Sequence, residues 1–262
     1  MPIKSLPDEP IEASKKWGDQ KGLVLGQAGI GKSELMVQGN SLVIDMEGNI
    51  KHLKCKKVPA TSWSDLQDIY ALLIQQKLAG KLAYDGIVFD TVDRVIALAE
   101  EQVISLCRAK FDSAIKKGLS INTIGDCPEG IGWDMRKNLI VNMLEKYHQL
   151  GIAVWLIGHT QIKEVKTPTS KIDKTTINVG GQLGSILLGW PNHILTMEAS
   201  WQGSKLVRRV HTIPTENREA KSHGGIIPDG WELSSVNGSS SQEERVKVAQ
   251  ANYAKLRSYF TE

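Results

Sequence analysis

The sequence has no segment of the kind that would anchor it in a membrane or direct it to secretion. Its 262 residues contain no run of about 18 apolar residues, the length that crosses a bilayer. The N-terminal stretch MPIKSLPDEPIEASKKW also lacks the apolar core of a secretory signal peptide. We therefore expect a cytoplasmic protein without a membrane span.

The sequence also has few cysteines and a small net charge. The three cysteines, Cys55, Cys107 and Cys127, form no CxxC pair and have no histidine at zinc-binding spacing. This pattern indicates reduced thiols, not disulfide bonds or a zinc site. A net charge of +3 is too small to favour nucleic-acid binding by itself, so such binding must depend on local patches. The 41% apolar content is ordinary for a globular protein with a sizeable core.

From residue 22 onward, apolar runs typical of buried strands alternate with helical periodicity. The runs are LVLG (23–26), SLVIDME (41–47), GIVFDT (86–91), AVWLIGHT (153–160), HILTMEA (193–199) and KLVRRVHTI (205–213). Such runs suit parallel strands that helices cover on both faces. They predict an α/β domain with a mostly parallel central sheet flanked by helices. The last two runs have no helix between them and predict a C-terminal β-hairpin on the sheet edge.

Composition divides the chain into four predicted parts. Residues 1–20 are expected to form an irregular lead-in, and residues 21–233 the main domain. The stretch SSVNGSSSQ (234–242) has the composition of a flexible linker, and residues 243–262 are predicted to be a C-terminal helix.

Two helix starts can be predicted from capping signals. Ser64 with Gln67 indicates the start of a helix that Gly80 ends, and Ser241 with Glu244 indicates the start of the C-terminal helix. The apolar stripe of the C-terminal helix fits two arrangements. The helix folds back on its own domain, or it docks on a neighbouring subunit.

Residues 26–33, GQAGIGKS, match the phosphate-binding pattern GxxxxGK[ST] between a predicted strand and helix. Glycines let successive backbone N–H groups turn toward phosphate oxygens. Lys32 would bridge the β- and γ-phosphates of ATP, and the Ser33 hydroxyl would bind Mg²⁺. The candidate ATP-binding residues are Gly26, Gln27, Ala28, Gly29, Ile30, Gly31, Lys32, Ser33 and Glu34.

Acidic residues follow two other predicted strands. Asp90 ends the run GIVFD, at the sheet edge that faces ligands in open α/β folds, and would hold a Mg²⁺-bound water. Asp93, one helical turn later, is the weaker candidate. Asp45 and Glu47 end the run after the phosphate-binding loop. Glu47 lies further out and is the candidate that activates the attacking water; the alternative is an acid exposed at a strand end.

His159, Thr160 and Gln161 end the strand WLIGHTQ and are candidates for sensing the γ-phosphate. The alternative is that His159 is simply hydrogen-bonded. The segment after them, 162–183, is predicted to be a mobile polar loop, and its lysines could follow a phosphate backbone. It has no aromatic residue for base stacking, and a solvated surface loop is the alternative. The candidate DNA-binding residues are Lys163, Lys166, Lys171 and Lys174.

The order of the phosphate-binding loop, IDMEG, IVFDT and LIGHTQ resembles the RecA-like P-loop ATPases, which include RecA, RadA and KaiC. The chain is most similar to the compact phage nucleotide-binding proteins of the Sak-type recombination group. The resemblance covers about residues 20–232 and implies a RecA-like P-loop NTPase fold. It also implies that Glu47 is the catalytic carboxylate, that Asp90 is the Walker B aspartate and that residues 159–161 are the sensor.

The resemblance further implies a homo-oligomer, a ring or filament around single-stranded DNA. The segment 162–183 corresponds to the second DNA-contacting loop of the family, and residues 118–132 fall near the first. In the family a Lys-x-Arg reaches the γ-phosphate bound by a neighbouring subunit. Here Lys221 stands at the lysine position, but His223 replaces the arginine. Either Arg218 substitutes for that arginine, or the positive charge that reaches the neighbouring subunit's γ-phosphate is weakened.

The sequence therefore predicts a Mg-ATP-dependent ATPase that acts on single-stranded DNA in recombination, annealing or replication, in the host cytoplasm if it is phage-encoded. No zinc ribbon or helix-hairpin-helix is evident in the sequence. Three alternatives stay open. One is a helicase or helicase-loading ATPase, which strand displacement would reveal. Another is a small-molecule kinase, which would need an arginine-rich lid. The third is a nucleotide-gated interaction protein.

Overall fold

The computed structural model describes residues 12–166, 171–203, 205–235 and 240–261, and it does not describe the side chains of Lys166 and Lys205. Residues 1–11 of the predicted lead-in and 236–239 of the predicted linker lie outside this description. The strands are β1 (Lys21–Gly26), β2 (Ser41–Asp45), β3 (Lys56–Pro59), β4 (Gly86–Asp90), β5 (Ala153–Lys166), β6 (Lys171–Ile177), β7 (His193–Gln202), β8 (Lys205–His211), β9 (Lys221–Ser222) and β10 (Trp231–Leu233). The α-helices are α1 (Lys32–Met36), α2 (Trp63–Leu78), α3 (Val92–Lys110), α4 (Asp112–Ile115), α5 (Ile131–His148), α6 (Gly181–Gly189) and α7 (Gln242–Arg257).

One sheet runs through the molecule in the order β10-β8-β7-β1-β5-β4-β2-β3. The pairs from β3 to β7 are parallel, and β8 and β10 continue the sheet in antiparallel fashion. The predicted α/β, RecA-like P-loop architecture with a mostly parallel sheet is therefore confirmed. The predicted C-terminal hairpin is β7–β8, but β10 pairs outside it, so the hairpin is not the outermost element.

Two hydrophobic cores lie on the two faces of the sheet. Alternate residues of β1 point to opposite faces, so Leu23 and Leu25 belong to one core and Val24 to the other. The first core lies under α2, α3, α5 and α6, and the second lies under α1, β10 and α7. Because both faces are covered, the central strands are apolar without interruption, as a parallel sheet requires.

The polar segment after β5 is not the loop that its composition predicted. β5 continues to Lys166 and pairs with β6 in an antiparallel β-hairpin, in which Thr160 is opposite Ile177. The β-branched residues in this segment favour the extended backbone. The hairpin extends beyond the main sheet, so its outer part carries charged residues in place of an apolar core face.

The structure tests both predicted helix starts and the expected lack of a membrane span. Ser62, not Ser64, caps α2, and its partner in the capping box is Asp65. The predicted capping box of Ser241 and Glu244 is present at the start of α7. Within the described residues, no helix is long and apolar enough to span a bilayer.

Helix α7 folds back on its own domain. Tyr253, Leu256 and Phe260 at its end belong to the second core. Trp17, near the end of the predicted lead-in, is buried there too and stacks on Trp155 with 5.4 Å between ring centroids. Of the two arrangements left open by the sequence, the structure has the helix packed within one chain.

Candidate nucleotide-binding site

The glycine-rich loop joins β1 to α1 at the carboxyl end of the parallel strands. Gly29 and Gly31 have φ angles of 76° and 100°, which residues with side chains rarely adopt. Gln27, Ala28 and Gly29 are exposed to solvent, whereas Ile30 is buried and anchors the loop to the core. The loop thus presents its backbone outward from a fixed base.

Lys32 lies inside this loop and is only 5% exposed. Its Nζ donates to the backbone oxygens of Gly26 at 2.8 Å and Gln27 at 2.9 Å. Burial lowers the pKa of Lys32, and the carboxylates of Asp90, Asp93 and Glu47 oppose that shift. The amine is therefore held at the centre of a group of acids, in a position where it can neutralise an anion.

Asp90 is the last residue of β4, and it is also buried, at 5% exposure. Burial raises the pKa of Asp90, and a hydrogen bond from the Ser33 side chain opposes the shift. The next peptide bond, between Asp90 and Thr91, is cis. The loop hydroxyl and the strand-end carboxylate that the sequence assigned to Mg²⁺ are therefore in contact.

Their donor atoms fit that ion. Hydroxyl and carboxylate oxygens are ligands that Mg²⁺ prefers, and Mg²⁺ usually takes its remaining ligands from water and substrate phosphates, not from a cage of protein groups. In the part of the chain that the structure describes, no cluster of three or more His, Cys, Asp or Glu side chains forms such a cage. Ser33 and Asp90 thus fit a magnesium ion that is bound together with a nucleotide.

The two acids of the β2 end have different roles. β2 ends at Asp45, so Glu47 lies beyond the strand. The direction of the Glu47 side chain is therefore set by the turn that follows and not by the alternation of side chains along a strand. Asp45 is buried and accepts a 2.7 Å hydrogen bond from the backbone N–H of Gly48, which closes the turn. Glu47 is exposed, and its carboxylate accepts bonds from Thr91 Oγ1 at 2.7 Å and Asn49 Nδ2 at 2.8 Å.

These groups surround one cavity of about 250 Å³ beside the loop. Its walls include Lys32, Ser33, Glu47, Asp90, Thr91 and His159. The predicted phosphate-binding, metal-binding and water-activating residues therefore face the same space. Such a cavity, which an ammonium group and carboxylates line together, can hold a polyphosphate and orient a water molecule.

Only one member of the predicted sensor trio reaches this cavity. His159 lines it, and its Nδ1 lies 3.1 Å from Asp93 Oδ2. Thr160 and Gln161 belong to the base of the β5–β6 hairpin, where Gln161 Nε2 donates to Ile177 O at 3.1 Å. Asp93, the weaker candidate for a metal ligand, therefore orients the imidazole of His159.

The candidate DNA-binding lysines lie on the β5–β6 hairpin, outside the cavity. Lys163 is opposite Lys174, and Lys166 is opposite Lys171. Lys171 pairs with Glu164 at 3.3 Å, and Lys174 pairs with Glu219 at 2.9 Å. Carboxylates thus balance part of the positive charge of the hairpin.

The candidate intersubunit residues lie away from this chain's own loop. β9 pairs with the start of β7, which puts Lys221 and His223 at the amino ends of the parallel strands, opposite the phosphate-binding loop. Lys221 Nζ donates to Gly189 O at 3.2 Å, and burial lowers the pKa of Lys221. Arg218 Nη1 lies 3.4 Å from Glu198 Oε2. The fold does not bring any of the three to the cavity.

Three residues at the site were not predicted from the sequence. Thr91 and Asn49 hold Glu47, and Arg208 donates from Nη1 to Ile30 O at 3.1 Å. Asn49 is two residues after Glu47, and Thr91 directly follows Asp90. Closeness in sequence to a predicted acid is therefore a local signal from which both could have been predicted. Arg208 reaches the loop from β8, a contact between residues 178 positions apart, and no local pattern indicates it.

The comparison with protein families agrees with this assignment. Residues 19–223 match the family model described as an AAA domain. No curated protein matches the chain. Among the solved structures that match is a KaiC-like protein from the hyperthermophilic archaeon Pyrococcus horikoshii OT3. It is 9% identical, with a TM-score of 0.40, over 78% of this chain and 82% of that chain.

Proposed function

The chain belongs to the AAA domain family, and from this premise we propose that it is a Mg-ATP-dependent phosphohydrolase that acts on single-stranded DNA. The work we assign to it is recombination, annealing or replication of the kind served by the Sak-type phage proteins that it resembles. One observation carries the hydrolase assignment. Glu47 is held by two hydrogen bonds in the cavity that Lys32, Ser33 and Asp90 also line.

Binding of the triphosphate rests on the loop and on Lys32. The backbone N–H groups of the loop face the phosphate oxygens, and Lys32 exchanges its bonds to loop carbonyls for bonds to phosphate. Ser33, which bonds to Asp90, would hold Mg²⁺ together with that carboxylate, and the ion would neutralise charge on the phosphate oxygens. A cation at this position would add to Lys32 in stabilising the charged form of Asp90, whose pKa burial raises.

Glu47 orients the attacking water and accepts its proton. The hydroxyl of Thr91 and the amide of Asn49 fix the carboxylate, so that it does not rotate freely in solvent. A base held within hydrogen-bond reach of water contributes roughly 10²-fold or more to such a step. The γ-phosphate is thus passed to water and not to another acceptor.

His159 connects the cavity to the hairpin. Its side chain lines the cavity, and its backbone oxygen accepts a 2.9 Å bond from the N–H of Asn178, at the end of the hairpin. A change at His159 therefore acts directly on the base of β5–β6. Through this contact the presence of the γ-phosphate alters the position of the DNA-binding lysines.

The neighbouring subunit completes the site. Lys221 is exposed enough to act from the far edge of one subunit on the nucleotide of the next, in a ring or filament. His223 stands where the RecA-like ATPases that the chain resembles have arginine, so the second positive charge depends on pH. Burial and the nearby charges of Lys221 and Lys21 lower the pKa of His223, and this favours the neutral imidazole near pH 7.

The test is ATP hydrolysis by Glu47→Gln, which keeps the shape of the side chain and removes the base. We expect unchanged ATP binding and a loss of turnover of roughly 10²-fold or more. Glu101→Gln, an exposed acid on α3, is the matched control and should keep full activity. Wild-type turnover should rise with single-stranded DNA at low salt. Normal turnover of Glu47→Gln would contradict the proposal, and so would transfer of phosphate to a nucleoside.

A further inference from the structure

A second cavity, of about 370 Å³, adjoins the same loop. It shares Gly29, Gly31 and Glu34 with the first cavity, but its other walls come from β8, the end of β10 and α7. A group bound on the loop therefore borders two spaces. The acidic residues assigned to hydrolysis line only the first.

Helix α7 supplies one wall of the second cavity. The wall consists of Arg245, Val248, Ala249 and Asn252, which follow one another at spacings of three, one and three residues. Residues at this spacing share one face of a helix. The family match ends at residue 223, so β10 and α7 lie outside the matched residues.

This wall is fixed to the loop by hydrogen bonds through Ser234. Arg208 donates from Nη1 to Ile30 O at 3.1 Å and from Nη2 to Ser234 O at 3.3 Å. Asn252 Nδ2 donates to the same Ser234 oxygen at 3.0 Å, and Asn252 Oδ1 accepts from Ser234 N at 2.8 Å. The loop, β8, the end of β10 and α7 are thus joined into one frame around the cavity.

The surface of the cavity combines apolar and polar groups. Leu206, Leu233, Val248 and Ala249 offer apolar contact of the kind that a flat heteroaromatic ring requires. Glu34 and Arg208, which lie 3.8 Å apart, stand at the edge next to the loop, where hydroxyl and phosphate groups would lie. The volume is within the range of about 300–1,000 Å³ that is typical of small-molecule sites.

We propose that this cavity receives the nucleoside part of the bound nucleoside triphosphate, with α7 as its outer wall. The proposal rests on the proposed function, because it requires the triphosphate to lie on the loop. The phosphates and the attacking water then occupy the first cavity, and the base and ribose occupy the second. In this arrangement α7 determines affinity for the nucleoside without taking part in hydrolysis.

The test fills the cavity from α7. Ala249→Trp puts a large side chain into it, whereas Ala254→Trp puts the same side chain on the exposed face of the same helix. Binding of ATP and of inorganic tripolyphosphate is measured for both variants by calorimetry. We expect Ala249→Trp to bind ATP about tenfold more weakly or worse, which is about 1.4 kcal/mol, and to bind tripolyphosphate like wild type. Ala254→Trp should bind both normally.

The outcomes separate this proposal from the proposed function. Wild-type protein that binds neither ATP nor tripolyphosphate would contradict the proposed function and this proposal together. ATP binding by Ala249→Trp equal to that of Ala254→Trp would overturn this proposal alone. If Ala249→Trp loses both ligands, photolabelling of wild type with 8-azido-ATP decides. Label within 205–211 or 241–257 supports the site, and label found only elsewhere overturns it.

Discussion

The hydroxyl of Thr91 donates a 2.7 Å hydrogen bond to the carboxylate of Glu47. Thr91 is only 3% exposed, whereas Glu47 is exposed, so a buried group sets the orientation of an exposed acid. The contact joins the end of β4 to the turn after β2, next to the pair that Asp90 forms with Ser33. The groups proposed to bind the metal and to activate water are therefore tied to the same strand end.

Replacement of Thr91 by valine should lower turnover without weakening ATP binding. Valine keeps the shape of threonine but does not donate the hydrogen bond that holds Glu47. We expect kcat to fall about tenfold, a part of the roughly 10²-fold or more contributed by a positioned base. Thr91→Ser retains the hydroxyl and should restore most of the rate. Steady-state kinetics with a separate measurement of ATP Kd checks this, and a Thr91→Ser variant as slow as Thr91→Val would argue against the positioning role.

Gly31 should tolerate substitution less well than Gly29. Both have positive φ angles, so a side chain costs roughly 1–2 kcal/mol of backbone strain at either position. A Cβ at Gly31 would also lie 2.4 Å from Nη1 of Arg208, whereas a Cβ at Gly29 would meet no atom within 4 Å. Arg208 would have to withdraw and lose its bond to Ile30 O.

We therefore expect Gly31→Ala to lower ATP affinity and thermal stability more than Gly29→Ala. Thermal unfolding and ATP titration of both variants test this expectation. Addition of Arg208→Ala to Gly31→Ala removes the collision but not the backbone strain. The double variant should therefore lose less ATP affinity and less thermal stability than the two single variants lose together. Equal losses for the two glycine variants would show that the Arg208 contact has no effect.

Much of the fold and of the site could be predicted because their signals are local. A glycine-rich loop between strand and helix, and an acid at the end of a buried run, are short patterns with one physical meaning each. Lys32, Ser33 and Asp90 were found in this way, and the fold brings them into one cavity. Continuous apolar runs also predict strands that are covered on both faces.

The parts that sequence missed depend on contacts between distant segments. The bond from Arg208 to Ile30 and the bond from Thr91 to Glu47 exist only once the sheet has formed. The polar composition of the β5–β6 hairpin predicts a loop because its outer part has no core face, and therefore no apolar alternation to reveal its strands. The capping box at Ser62 was missed because Ser64 offered a similar pattern two residues later.

The stability of the protein should fall in acid because of His193. This residue is fully buried, its Nε2 lies 3.0 Å from Gln20 Oε1, and its ring lies between Trp155 and Phe260. Burial, with the nearby charges of His223 and Lys221, lowers the pKa of His193 from 6.5 to about 4. Below pH 6.5 the unfolded chain takes up a proton that the folded chain does not. Stability is therefore lost between pH 6.5 and 4 and is retained above that range.

The loss from this one residue should approach about 3 kcal/mol at pH 4. Urea unfolding at pH 7 and at pH 4 measures it, in wild type and in His193→Gln. Glutamine keeps a polar group near Gln20 but does not titrate. The variant should be less stable than wild type at pH 7 and should lose less stability on acidification. The same loss in both proteins would place the pH dependence elsewhere.

Single-stranded DNA binding by the β5–β6 hairpin should depend most on Lys163. Lys163 and Lys174 are directly opposite each other, and like charges in this position repel. Glu219 lies 2.9 Å from Lys174 and balances that charge, and Glu164 lies 3.3 Å from Lys171. A phosphate backbone on the hairpin would relieve the remaining repulsion.

Lys163→Ala should thus lower the slope of log K against log salt by about 0.7, the value for one contact with a single strand. Fluorescence anisotropy with oligo-dT at several salt concentrations measures the slope, with Lys77→Ala, an exposed lysine of α2, as the matched control. If both variants keep the wild-type slope, Lys163 does not contact the phosphate backbone, and the DNA-binding face has to be sought away from this hairpin.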